Sequence, residues 1–218
     1  AAHRGFDVPQ PVSAQADAES GVALIDVCGP LEHHASWWHS YDEIVRQVED
    51  AAASSDVKAI VLRFDSPGGV VSGVFEAHRA LRRIRKASGK PLLAWIDEMA
   101  CSAAYELAAA CDEIWTPASG QLGSVGVILG AWDTSAALKE QGIRARYWTT
   151  GARKADLHQG NPIDEAVSAA AQARVDELGA IFFRHVARAR RLPLPLPGST
   201  PVPLLASSTA PRRLVPTV

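Results

Sequence analysis

Three strand-length apolar runs set the frame for this chain: Val22-Ala-Leu-Ile-Asp-Val27, Ala59-Ile-Val-Leu-Arg-Phe64 and Pro91-Leu-Leu-Ala-Trp-Ile96. Between them lie stretches with helical periodicity, Tyr41 to Ala53 (apolar at 41, 44, 45 and 48) and about Val71 to Lys86, the latter stopped by Ser88-Gly89. Strand–helix–strand units with short connections favour parallel strands and right-handed crossovers, so the expectation is an α/β fold with a mainly parallel sheet. The second run is almost continuously apolar, as in a strand covered on both faces. Further along, the pattern predicts a helix over Ser102 to Ala110 and short strands at Glu113 to Thr116, Val125 to Leu129 and Ile143 to Thr149. A helix is predicted from Asp133 as N-cap to Gln141, with Gly142 in the C′ position, and a long Ala-rich helix from about Ile163 to Arg190. There is no internal repeat.

Composition narrows the class. The 218 residues are 47% hydrophobic and 21% charged, the proportions of one soluble globular domain. A formal charge of −2 gives no support to nucleic acid as a partner. Cys28, Cys101 and Cys111 show no CxxC or Cys/His spacing, which predicts reduced cytosolic thiols rather than disulfides, and no metal site. Residues 1–20 lack the apolar core of a signal peptide and read as an N-terminal extension. No run is long enough to span a bilayer, so a soluble, unsecreted chain without a membrane anchor is expected. Seven of the fourteen prolines fall in residues 193–218, predicting an extended or disordered tail after a domain over 21–192.

Four segments could carry chemistry, and each has a plain reading beside the functional one. Asp65-Ser-Pro-Gly-Gly69 follows a buried-type strand, where α/β sheets place ligands. Its glycines could turn N–H groups toward an oxyanion, or simply make the turn. Ser102 stands among small residues at a helix start, as a nucleophile or as an ordinary N-cap. Ser124, in Gly123-Ser-Val-Gly126, could hydrogen-bond a catalytic group or serve as a turn serine. Lys154, in the polar loop Thr149-Thr-Gly-Ala-Arg-Lys154, could be a general base if a dry site or a nearby cation strips its proton, or a solvated loop charge. His33, His34, His39 and His78 read as surface residues, and His158 is a lesser alternative base. The basic run from Arg79 to Lys86 reads as the solvated face of a helix.

Taken together, Ser66-Pro-Gly-Gly69, Ser102-Ala-Ala-Tyr105, Gly123-Ser-Val-Gly126 and Gly151-x-x-Lys154 resemble, in order and spacing, the signal peptide peptidase A (SppA) family of Ser/Lys serine peptidases. The resemblance covers about residues 21 to 192 and looks most like the phage branch, the head maturation or capsid assembly proteases. It implies a ClpP/crotonase-like fold and a serine endopeptidase working without cofactor. Ser102 would be the nucleophile, Lys154 the base, Ser124 the residue orienting the lysine, and Gly68 and Gly69 the oxyanion donors. It also implies a protein or peptide substrate (capsid or scaffold protein), a homo-oligomer, and a cytoplasmic place in a bacterial host or within a prohead. Other functions in view are a host peptidase degrading signal peptides, a crotonase-type acyl-CoA enzyme, and a non-catalytic assembly scaffold. Where the family closes with a Gly-Leu-(Val/Ile)-Asp-like motif, this sequence runs Pro193-Leu-Pro-Leu-Pro-Gly198.

Overall fold

The computed structural model describes residues 15–17, 20–34, 39–191 and 212–213. Strands β1 (Gln15–Asp17), β2 (Val22–Cys28), β3 (Ala59–Ser66), β4 (Leu92–Cys101) and β5 (Glu113–Thr116) form one sheet in that spatial order. β2, β3, β4 and β5 run parallel, as the crossovers require, and β1 pairs antiparallel with β2. β6 (Gln121–Gly123) pairs parallel with the far end of β4, and β7 (Arg212–Arg213) closes the β5 edge antiparallel. The remainder of the proline-rich 193–218 segment lies outside the described residues.

The core is one face of this sheet: Ile25 and Val27, Ile60, Leu62 and Phe64, and Leu92, Ala94 and Ile96 are all buried. β3 alternates strictly between buried and half-buried residues rather than being covered equally on both faces. On the more open face Arg63 makes a two-pronged contact with the Asp26 carboxylate at 2.8 and 3.0 Å, so an apolar run accommodates one ion pair. Helix α1 (Tyr41–Ala53) starts at an N-cap serine: Ser40 Oγ accepts the Glu43 N–H at 3.2 Å. Helix α2 (Val74–Ser88) begins after Gly73, buries Phe75, His78, Leu81 and Ile84, and stops at the left-handed Gly89. Its exposed arginines lie on the solvent side, as the sequence pattern predicts. Helix α3 (Ala103–Ala109) is buried along its whole length, which its alanines permit.

Two predicted strands are absent. Val125 to Leu129 is irregular, because β6 ends at Gly123 in register with Cys101 and β4 turns away into α3 at that point, leaving no strand to pair with. Ile143 to Thr149 is exposed throughout and has no strand beside it among the described residues. Helix α4 (Ser135–Glu140) sits where expected, with Asp133 accepting the Ser135 and Ile163 N–H groups. The Ser135 hydroxyl, donating at 2.6 Å, and those two N–H bonds hold the Asp133 carboxyl below its usual range.

The chain forms two compact units, 1–126 with 181–218, and Val127–Ala180. The long helix α5 (Glu165–Arg190) contributes its first part to the second unit and its last turns to the first. Among the described residues no helix is long and apolar enough to cross a membrane.

His78 is a correction to the sequence reading: it is 2% exposed, not a surface residue. Burial pushes its imidazole down to about 4 from 6.5. The fold therefore refuses a proton that the unfolded chain accepts, and His78 erodes stability as pH falls from 6.5 toward 4, by on the order of 3 kcal/mol. The Glu106 carboxyl, raised by burial, acts in the opposite sense. Urea unfolding at pH 7 and pH 4 should show a smaller acid loss in His78→Gln than in the unchanged chain; equal losses would contradict this account.

Candidate active site

The site is assembled from two strand ends in the first unit. At the end of β3, the buried Ser66 Oγ donates to the Gly29 carbonyl at 2.7 Å and accepts the Gly68 N–H at 3.1 Å, pinning the turn. Gly68 has φ +105°, and its carbonyl accepts the Leu31 N–H at 2.9 Å. A Cβ on Gly68 would lie 2.7 Å from the Cys101 carbonyl oxygen and 2.8 Å from Ser102 Cβ. One on Gly69 would lie 1.9 Å from the Leu31 carbonyl oxygen. Both positions demand glycine because backbone approaches backbone there.

At the end of β4, Ser102 is half-buried with φ 52° and ψ −122°, and its N–H donates to the Gly123 carbonyl at 2.8 Å. It stands in the N-cap position of α3, yet its hydroxyl makes no capping bond. Ser40 shows what a capping serine looks like in this chain: φ −113°, ψ 153°, with the hydroxyl engaged by Glu43. Capping therefore does not account for Ser102. The hydroxyl is left available, on a backbone whose strain costs on the order of 1–3 kcal/mol. Ser124 follows Gly123, is exposed, and also has a positive φ, 52°. The β4–β6 register, Cys101 to Gly123, puts Ser124 in step with Ser102.

The structure thus brings Gly68, Gly69, Ser102 and Ser124 together. Of the two glycine amides, that of Gly68 is spent on Ser66, whereas that of exposed Gly69 has no partner among the described residues. One donor escaped the sequence reading: Ala103 N–H opens α3, where a helix leaves its first amides unpaired, and Gly68 packs against it. The signal was the helix start itself, whose N-terminus favours developing negative charge, although no amide was singled out.

Lys154 belongs to the second unit. It lies exposed in a turn where its N–H donates to the Gly151 carbonyl at 3.1 Å, beside an Arg153–Asp156 ion pair of 2.7 Å. In the same unit the ring of His158 lies against that of Tyr147, with centroids 4.3 Å apart. The three cysteines are free, and burial pushes each thiol up, which does not favour a thiolate nucleophile.

A strained serine at a strand-to-helix turn, faced by a glycine turn whose Gly69 amide has no partner among the described residues, has the groups a serine nucleophile and an oxyanion donor require. Comparison with known proteins gives the family: residues 84–196 match the model of peptidase family S49, and the chain belongs to that family. Its fold is accordingly ClpP/crotonase-like. The chain is similar to the head-tail preconnector protein GP5 of Enterobacteria phage P21, with 32% identity over 77% of this chain and 34% of that protein. It is also similar to capsid assembly protease C of Escherichia phage lambda, with 29% identity over 77% of this chain and 39% of the relative. A more distant relative is the probable protease SohB of Haemophilus influenzae, 27% identical over 78% of this chain and 46% of SohB. The chain therefore spans less than half the length of these relatives.

The strain predicts a directional stability pattern. Ser102→Gly should stabilise the fold by about 1 kcal/mol, because glycine adopts this backbone freely. Gly68→Ala and Gly69→Ala should destabilise it by about 2 kcal/mol or more through the contacts given above. Urea midpoints at unchanged slope measure all three; a Ser102→Gly protein less stable than the parent would count against a strained serine.

Proposed function

We propose that this chain is a serine endopeptidase of phage capsid assembly, with Ser102 as nucleophile and Lys154 as general base. The observation that carries the reading is the uncapped, strained Ser102 hydroxyl beside the free Gly69 amide. Ser102 Oγ attacks the scissile carbonyl while Lys154 Nζ takes its proton, then returns it to the leaving amine. Gly69 N–H, with Ala103 N–H, would face the oxyanion of the tetrahedral intermediate, and Gly68 keeps that turn close to the serine. Water hydrolyses the acyl-enzyme by the same base. Ser124, level with Ser102, is the group proposed to orient the lysine amine. The reaction itself involves no change of oxidation state, and no cofactor enters this scheme.

Residues 21–192 would form the peptidase domain, between an N-terminal extension and the proline-rich segment. The names of the phage relatives support a capsid or scaffold protein as substrate and the host cytoplasm or prohead as the place of action. Self-association is part of the proposal, because the second unit exposes Ile128, Trp132 and Trp148 at 95, 81 and 86%.

A fluorophosphonate probe tests the nucleophile. Labelling should occur on the parent and vanish in Ser102→Ala, which should remain folded because the hydroxyl makes no cap. Lys154→Ala and Lys154→Arg should both lower peptide cleavage by about 100-fold or more, since arginine keeps the charge but does not deprotonate. Strong cleavage by the arginine variant would defeat the dyad. Light scattering should show an oligomer, and a fully active monomer would refute that part.

A further inference from the structure

Four residues after Ser102, in the first turn of the same helix, lies a fully buried carboxylic acid. Glu106 is 0% exposed, and its own N–H donates to the Ser102 carbonyl at 3.0 Å, the bond that begins α3. Its carboxyl and carbonyl are both gripped by imidazoles from other helices. His185 Nδ1 of α5 lies 2.5 Å from Glu106 Oε1. His78 Nδ1 of α2 lies 2.8 Å from the Glu106 main-chain oxygen and 3.3 Å from Oε1. A carbonyl only accepts, so the His78 bond places its proton on Nδ1. The two rings stack at 4.5 Å and 15°, and Phe75 meets His185 edge-on at 5.6 Å. Glu106 Oε2 has no hydrogen-bond partner among the described residues.

Burying an acid with one oxygen unbonded is costly, and α3 otherwise buries four alanines, Leu107 and Tyr105. His185 Nδ1 meets the carboxyl and His78 Nδ1 meets the main-chain carbonyl, so each ring nitrogen facing Glu106 is engaged in a hydrogen bond. Glu106 is thus tied through its amide to Ser102 and through its side chain to α2 and α5.

We propose that Glu106 is a positioning residue for Ser102: one proton held between its carboxyl and His185 locks the first turn of α3, and uptake of a second proton loosens that turn and silences the peptidase in acid. This rests on the reading of Ser102 as the nucleophile. The charged and titratable groups facing the cluster are Arg79 and Arg82 from α2, with His78, and His185 from α5. A second proton would leave imidazolium beside these arginines with no carboxylate to balance it. Burial raises the Glu106 carboxyl and holds His78 neutral down to about 4, so the loss of the carboxylate falls at higher pH than for an exposed glutamate.

The test is the pH dependence of peptide cleavage and of fluorophosphonate labelling at Ser102, for the parent, Glu106→Gln and Glu106→Ala. The parent should show a step on the acid side beyond that of the base. Glu106→Gln, which accepts a hydrogen bond but does not ionise, should lack that step. Glu106→Ala should lower kcat about ten- to hundredfold with KM unchanged. A Glu106→Gln profile identical to the parent's, or full kcat in Glu106→Ala, would overturn the proposal. Nitrogen-15 histidine NMR adds a readout independent of cleavage: His78 should be the Nδ1–H tautomer, and the His185 Nδ1 signal should move in Glu106→Gln. An Nε2–H tautomer at His78, or a His185 signal unmoved by Glu106→Gln, would overturn it too. A parent that is never labelled at Ser102 would instead sink the peptidase reading, with the NMR outcome still reporting on the cluster.

Discussion

The hydrogen bond from Ser102 N–H to the Gly123 carbonyl holds the site in place. It is the last rung between β4 and β6, added where β5 has already stopped pairing with β4: Leu93 to Trp95 face β5, and Met99 to Cys101 face β6. Sharing one long strand between two short partners lets β4 deliver a residue past the end of the main sheet. On the other flank the β3 turn is fixed by one buried hydroxyl, Ser66 Oγ, bonded both ways. Ser102 is therefore squeezed between main chains, and main-chain contacts leave no room for Cβ atoms at Gly68 and Gly69. Glycine and alanine crowd the site for that reason, and the strain in Ser102 persists because the rungs around it are worth more than it costs.

Much of this was legible in the sequence because the relevant signals are local. The periodicity of α1, the Gly89 stop of α2 and the alanines of α3 all act within a few residues. The Gly68, Gly69, Ser102 and Ser124 group was legible only as motifs in order, since no single one separates a turn from an oxyanion donor. β4 runs past the predicted Pro91 to Ile96: Asp97 and Glu98, exposed in the structure, break the apolar run and fall where the β3 register shifts, and pairing resumes at Ser66 with Ala100. Val125 to Leu129 failed in the opposite way: strand composition was present, but its neighbour had turned into a helix. A strand is a property of two segments, and composition reports on one.

His78 was misread for a different reason. Phe75 and Leu81, three residues to either side, place it on the apolar face of α2, a helical signal that the reading as a surface residue passed over. Its partners are not legible locally: Glu106 lies 28 residues away and His185 a further 79. Lys154 is a harder case still. Its turn is well formed, but it belongs to the other compact unit, so its pairing with Ser102 comes from motif order and chemistry.

The connections between the units bear on that pairing. The chain leaves the first unit after Gly126, two residues beyond Ser124, and returns at Ile181 within α5, four residues before His185. One crossing thus begins beside the serine level with Ser102, and the other ends at the imidazole that grips Glu106, whose amide is bonded to Ser102. In the first unit Phe182, Val186 and Ala187 bury the same segment of α5, so it is anchored by apolar packing as well as by the acid. Apolar packing holds a helix at nearly constant strength across pH, whereas the carboxyl–imidazole contact depends on proton count. Because these two kinds of anchor sit within one turn and a half of α5, protonation can alter how firmly Ser102 is held without unfolding the domain.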